Sequence, residues 1–183
     1  MKKLNVMKSV LLGGSFALSL CAAVPVSAVV PGKHQHVKTT VVNGDWVYDS
    51  SSLDRKFASL DSENGFKFPD SESSHPTNLG LELFDFGGNY EFRLFNRDAD
   101  FKCPTKIPCT ILVSFDGGVK KKVQIEFTEG LDNRHVNAKR EEYKAIYTAL
   151  KTAKTMTIDA SFVGVGVKSY KFRVGGLKWP SPK

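Results

Sequence analysis

Hydrophobic and polar residues alternate along most of this chain, and the alternation predicts β-strands. The clearest hairpin runs from Leu79 to Phe95 and turns at Gly87–Asn89. Successive side chains of a strand point to opposite faces of a sheet, so every second residue shares a face. In this hairpin one face carries large apolar residues: Leu79, Leu81, Leu83, Tyr90, Phe92 and Leu94.

The same pattern predicts two further hairpins and several shorter strands. The later hairpins join Thr110–Phe115 to Val119–Thr128, and Thr155–Phe162 to Ser169–Val174. Asn64-Gly65 is a dipeptide typical of a tight turn, and it divides the early part of the chain. The shorter strands around it are predicted at Trp46–Tyr48, Arg55–Ser62 and Phe66–Phe68.

Helical spacing of apolar residues occurs over residues 137–153, where Asn137 is predicted to cap the helix. One stripe of this segment is apolar and comprises Tyr143, Ile146, Tyr147, Leu150 and Ala153. Because strands dominate, residues 44–180 are predicted to form a single, mainly β domain. Its expected architecture is an antiparallel β-sandwich or a curved sheet, with the helix packed on one side.

Three phenylalanines fall on the face opposite the leucines, namely Phe84, Phe86 and Phe95. Two arrangements fit this pattern. Either the sheet is covered on both faces, or these rings form an exposed patch that would mark a binding surface.

The densest positive run in the chain is Lys120–Lys122, on the strand that follows the turn at Asp116–Gly118. Alternation places Val119, Val123, Ile125 and Phe127 on one face, and Lys120, Lys122, Gln124 and Glu126 on the other. Lys120 and Lys122 are therefore candidates for binding a partner. The alternative is a solvated strand edge whose lysines discourage aggregation between sheets.

The first 28 residues have the features of a bacterial signal peptide. Lys2, Lys3 and Lys8 precede an uncharged apolar run that is shorter than the about 20 residues needed to span a bilayer. Small residues before Val29 predict cleavage after Ala28, and residues 29–43 are expected to form a flexible lead-in. The alternatives are a retained membrane anchor and a lipoprotein modified at Cys21.

The predicted mature chain has a modest positive charge. Removing Lys2, Lys3 and Lys8 lowers the net charge from +7 to +4, with 23 basic and 19 acidic residues. This balance slightly favours contact with acidic envelope polymers or lipid headgroups and allows peripheral contact with a membrane. A protein or another envelope component is the expected partner. It lacks the dense basic patch of a nucleic-acid-binding protein, and the pattern specifies no oligomeric state.

Cys103 and Cys109 remain after cleavage, and an even pair in an exported protein predicts a disulfide. Five residues separate them, which is longer than the usual spacing in zinc sites and redox motifs. No catalytic motif, metal site or cofactor site is predicted. The adjacent carboxylate pairs Asp98 with Asp100 and Glu141 with Glu142 are interpreted as surface acids.

The segment Cys103 to Gly117 resembles a group of small exported bacterial proteins of unassigned function. In that group a cysteine pair leads into a strand that ends in Phe-Asp-x-Gly. Phe66–Pro69 and the C-terminal Phe172–Trp179, with its Gly-Leu-Lys-Trp, also match, and the resemblance spans roughly residues 45–179. Ser114 departs from it, because the group usually has a basic residue there. The resemblance implies no activity, substrate or catalytic residue.

Taken together, the sequence predicts a non-enzymatic periplasmic or secreted binding module, or an envelope-accessory module. One alternative is an inhibitor of an envelope-targeting enzyme such as a lysozyme, which rests on analogy between small disulfide-bearing β proteins. Another alternative, from a different class, is a hydrolase whose acidic residues converge in a cleft.

Overall fold

The computed structural model describes residues 40–42, 45–52, 55–69, 71–104 and 108–179. One helix, α1 (Arg140–Leu150), lies in this part of the chain. The strands are β1 (Thr40–Val42), β2 (Trp46–Ser52), β3 (Arg55–Phe66), β4 (Thr77–Phe86), β5 (Asn89–Asn96), β6 (Cys109–Phe115), β7 (Lys121–Phe127), β8 (His135–Ala138), β9 (Thr155–Phe162) and β10 (Gly166–Arg173). The prediction of a mainly β protein with one helix is confirmed.

All ten strands belong to one antiparallel sheet, in the order β1-β2-β3-β4-β5-β8-β7-β6-β9-β10. The three predicted hairpins form as β4–β5, β6–β7 and β9–β10. Strand β8 joins the first hairpin to the second, since it pairs with β5 on one side and with β7 on the other. Strand β9 then pairs with β6 and brings the last hairpin into the sheet.

The sheet curves until β10 meets β3. The Asn64 side chain accepts a hydrogen bond from the Lys171 N–H (2.7 Å) and donates one to the Ser169 carbonyl (3.0 Å). The Trp46 indole also donates to the Val174 carbonyl across this seam (2.9 Å). Of the two predicted architectures, the curved sheet is therefore the one that this chain adopts.

Large apolar side chains fill the enclosed face of the curved sheet, and α1 packs against them. Every second residue of β4 that the sequence placed inward is buried, as are the four residues with which α1 faces the core. The Tyr147 hydroxyl donates to the Trp179 carbonyl and so links α1 to the C-terminal segment. The predicted helical stripe is confirmed by these buried residues: Tyr143, Ile146, Tyr147, Leu150 and Ala153.

The helix is shorter than the predicted 137–153, because residues before Arg140 belong to the sheet. Asn137 lies in β8 and does not cap α1. Its side-chain oxygen accepts hydrogen bonds from Arg93 (3.2 Å) and Thr128 (3.1 Å). Lys139 occupies the N-cap position without a capping side-chain bond.

Asn64-Gly65 forms a bulge within β3, so the predicted tight turn is wrong. The register of β3 against β4 shifts between Asp61 and Gly65. Where the ladder is interrupted, the Ser62 hydroxyl accepts a hydrogen bond from the Leu79 N–H (2.9 Å). The bulge also turns Asn64 towards β10, where it makes the two bonds described above.

Cys103 and Cys109 form the predicted disulfide, with an S–S distance of 2.02 Å. The sheet begins at Thr40, within the predicted lead-in. The predicted signal peptide, residues 1–28, lies outside the described residues, as does Cys21.

Candidate functional site

The two lysines predicted to bind a partner lie near the start of β7, but their surroundings differ. Lys122 is exposed. The Lys120 ammonium forms an ion pair with Asp159 of β9, whose side chain is only 10% exposed. Burial would raise the pKa of Asp159, but bonding to Lys120 and Ser169 lowers it on balance. Lys120 therefore neutralises a shielded carboxylate of its own protein.

The apolar face predicted for this hairpin is only partly covered. Val123 and Ile125 are buried, as expected. Val119, which precedes β7, is 85% exposed, and Phe127 at the far end is 39% exposed. The hairpin thus presents an apolar side chain to solvent beside its lysines.

Helix α1 begins where β8 ends, and the first contacts beyond β8 are made to Gln124 of β7. Strand β8 pairs with β7 only as far as Ala138, which lies opposite Ile125. At the next residue, the Gln124 N–H donates to the Glu142 carboxylate (3.3 Å) and the Gln124 carbonyl accepts the Lys139 N–H (3.0 Å). Further along, α1 and β7 are separated by a groove that residues of both elements line.

This arrangement leaves the peptide edge of Lys122 open towards α1. In an antiparallel ladder, alternate residues direct both of their backbone groups to the same side. The backbone groups of Gln124 point away from β6, so those of Lys122, two residues earlier, point the same way. Among the described residues, no strand pairs with β7 on that side before Ile125.

A groove of about 310 Å³ lies between α1 and the β6–β7 hairpin, and we call it the α1–β7 groove. Ala145 and Ala149 stand one helical turn apart, and their small side chains leave room in the groove. Lys121, Lys122 and Glu142 form its charged rim. The apolar lining comprises Val113, Phe115, Val119, Val123, Ala145, Ile146 and Ala149.

A larger polar cleft of about 730 Å³ contains the carboxylates Asp98 and Asp100. Two of its carboxylates are held by hydrogen bonds. Asp98 accepts a hydrogen bond from the Thr77 hydroxyl. Hydrogen bonds from Arg134 and His135 lower the pKa of Asp132 to about 2. The other acid pair lies on α1, where Glu141 is exposed and Glu142 bonds to Gln124.

The three phenylalanines opposite the leucines are half-buried beneath polar and aromatic neighbours. The Arg93 guanidinium lies 4.3 Å from the centre of the Phe84 ring, which stacks on Phe86 at 5.4 Å. Phe95 stacks on His135 at 6.0 Å. These rings therefore pack against their own sheet and form a partly covered surface.

No family model, curated protein or solved structure matches this chain. Within the described residues, His, Cys, Asp and Glu side chains form no group of three or more that could hold a metal ion. The same residues include no helix that is long and apolar enough to cross a membrane. Fold and site together define a small, disulfide-bonded, curved-sheet protein with a lysine-rimmed apolar groove.

Sequence reasoning located Lys122 but missed the helix side of the groove. Ala145 and Ala149 lie four residues apart, outside the predicted core stripe of α1. Such a pair of small residues on one helix face is a weak signal in a sequence. The pair can be interpreted as one wall of a groove only when the neighbouring strand, β7, is known.

Proposed function

We propose that this protein is a non-enzymatic binding module, periplasmic or secreted, whose protein partner docks at the α1–β7 groove. One observation carries the proposal. An apolar groove lies between a helix and an open strand edge, and exposed lysines border it. Apolar lining with a few placed polar groups is the usual composition of a ligand site.

The charges around the groove favour an acidic partner. Lys121 and Lys122 are exposed on the rim, whereas Lys120 is paired with Asp159. Exposed lysines attract an acidic surface over a distance, and salt screens that attraction. The proposed partner is therefore a protein of the envelope or of the surroundings with an acidic docking segment.

A non-enzymatic role is supported by the bonding of two carboxylates in the polar cleft. Asp98 accepts from Thr77, and Asp132 accepts from Arg134 and His135. Carboxylates with these hydrogen bonds stabilise the conformation of the loops in which they lie. No contact among the described residues favours the hydrolase or the lysozyme-inhibitor alternative.

Export is the second part of the proposal, and the Cys103–Cys109 disulfide is compatible with it. Cleavage after Ala28 would give a mature chain that begins at Val29. Intact-mass measurement of the exported protein tests this directly. A diacylglycerol-modified Cys21 at the N-terminus would contradict it.

The docking site is tested by co-purification from the envelope fraction and the medium, followed by affinity measurements with the captured protein. Lys121→Glu with Lys122→Glu should weaken binding about 10-fold or more at low salt, because two attractive charges become repulsive. Lys67→Glu with Lys102→Glu makes the same charge change at two other exposed positions and should have little effect. Equal weakening by both pairs would reduce the effect to net charge and overturn the assigned site.

Lys120 is left unchanged in this test, because a glutamate there would lie against the Asp159 carboxylate. The loss of an ion pair and the new repulsion would lower stability and confuse the binding result. Melting temperatures of all variants should stay within about 3 °C of the parent, since exposed charges contribute little to folding.

A further inference from the structure

We propose that the partner docks by adding an extended peptide strand to the open edge of β7, between β7 and α1. This inference rests on the proposed function and specifies the form of the docking segment. Strand addition uses main-chain hydrogen bonds for affinity and side-chain pockets for specificity. The α1–β7 groove offers both elements, because an open backbone edge lies beside an apolar pocket.

The backbone supplies the first half of the argument. Lys122 directs its N–H and its carbonyl away from β6, into the space where β8 would have continued. A strand entering there would bond to Lys122 as Gln124 is bonded now, where the Gln124 carbonyl accepts the Lys139 N–H and the Gln124 N–H donates to Glu142. The sheet order places no described strand in that position.

The side chains predict the pattern of the incoming strand. Lys121 lies on the same face of β7 as buried Val123, which is the face of the groove. Lys122 projects from the opposite face, because strand side chains alternate. A peptide strand beside them would place apolar residues into the groove and acidic residues beside Lys122. Alternating acidic and apolar residues are therefore the expected recognition pattern.

The size of the groove limits what it takes. At about 310 Å³ it lies at the lower end of the about 300–1,000 Å³ found for ligand sites. This space suits one or two apolar side chains of a peptide. The alternative role of these lysines, protecting a strand edge from aggregation, does not require an apolar groove beside them. The groove therefore favours the binding role.

The test is selection of a phage-displayed library of random linear nonapeptides on the purified, disulfide-bonded protein. Enriched peptides should alternate Asp or Glu with Val, Ile or Leu. A synthetic copy of the best peptide is then N-methylated at one residue at a time. Methylation of the one N–H that bonds to the Lys122 carbonyl should weaken binding by about 10-fold or more, whereas methylation of either neighbour should not, because its N–H points away from β7.

Protein variants fix the position of the peptide. Ala145→Arg fills the groove from an exposed helix position and should abolish peptide binding without changing the melting temperature. Thr148→Arg adds the same side chain at another exposed position of α1 and should leave binding unchanged. Failure to enrich peptides, uniform effects of N-methylation, or full binding by Ala145→Arg would each overturn the inference.

Two outcomes separate this inference from the proposed function. If the captured partner needs Lys121 and Lys122 but competes with no selected peptide, a folded surface docks and only strand addition fails. If sedimentation shows a parent dimer that Ala145→Arg dissociates, the occupant is a second copy of this chain. That result would overturn the assignment of the groove to a partner peptide.

Discussion

At the scale of single residues, polar side chains complete hydrogen bonding that the strands leave unfinished. Asp116 adopts a φ of 48° in the β6–β7 turn, a region that Asp tolerates better than most residues. Its carboxylate accepts the N–H groups of Lys154 (2.9 Å) and Thr155 (2.8 Å), and these bonds lower its pKa. The Phe-Asp-x-Gly segment thus joins the hairpin turn to the start of β9.

Gly80 is the position where an added methyl group meets the least room. It lies opposite Phe95 on β5, and a Cβ at Gly80 would fall 1.8 Å from the Phe95 ring. Gly80→Ala should therefore lower the free energy of unfolding by about 1–3 kcal/mol through overpacking. Urea denaturation measures the loss.

A second substitution checks the cause of that loss. Phe95→Leu in the Gly80→Ala background should recover part of the stability, because the clashing ring is removed. If the two effects simply add, the ring does not cause the loss.

Asp132 should make part of the stability depend on pH. Hydrogen bonds from Arg134 and His135 lower its pKa from 3.8 to about 2 in the folded protein. A lowered carboxyl pKa stabilises the fold above the unfolded pKa, and the contribution disappears as pH falls through the folded pKa. The parent should thus exceed Asp132→Asn in stability at pH 6, and the difference should shrink between pH 4 and pH 2. Urea midpoints across this range test it, and a constant difference would contradict it.

At the scale of elements, patterns that depend on near neighbours were predicted well. The three hairpins and the buried stripe of α1 follow from alternation and helical spacing. Strand β8 was missed because its four residues are too few to show a period. Asn64-Gly65 was misassigned because its conformation depends on β10, more than a hundred residues later in the chain.

The candidate site was predictable only in part for a similar reason. Alternation identified Lys122 as an exposed cation. The groove exists because β8 ends at Ala138 and α1 begins at Arg140, and this boundary is set by the pairing of Asn137 within the sheet. Helical propensity alone placed the start of the helix three residues too early.

The seam between β3 and β10 should depend on the Asn64 side chain. Asn64→Ala removes one acceptor and one donor, and the free energy of unfolding should fall by about 1 kcal/mol or more. Hydrogen exchange of the Lys171 amide should become faster than in the parent.

Asn64→Asp is the matched variant for this seam. It keeps an acceptor for the Lys171 N–H but turns a carboxylate towards the Ser169 carbonyl. Its stability should therefore be no better than that of Asn64→Ala. Parental stability in both variants would show that the bridge contributes nothing.

For the molecule as a whole, the disulfide is the covalent constraint among the described residues. Cys103 and Cys109 lie six positions apart and close a short loop that leads into β6. Replacing both by Ser should lower the free energy of unfolding by about 2 kcal/mol on the chain-entropy model, and the sheet should still form. Denaturation curves of oxidised parent and variant test this. Thiol counting on the unfolded parent should find no thiol from either cysteine, and a positive count would contradict the pairing.

The closure of the sheet also has a consequence in time. The Trp46 indole bonds to Val174, 128 residues later, and the Tyr48 hydroxyl accepts the Lys178 N–H, 130 residues later. A ribosome adds residues in order, so these contacts cannot form before Val174 and Lys178 have been made. Contacts this distant in sequence also form slowly during folding, because the entropy cost of closing a long loop comes before the free energy gained from the contacts. The curved sheet therefore cannot close before residues 174–178 have been made.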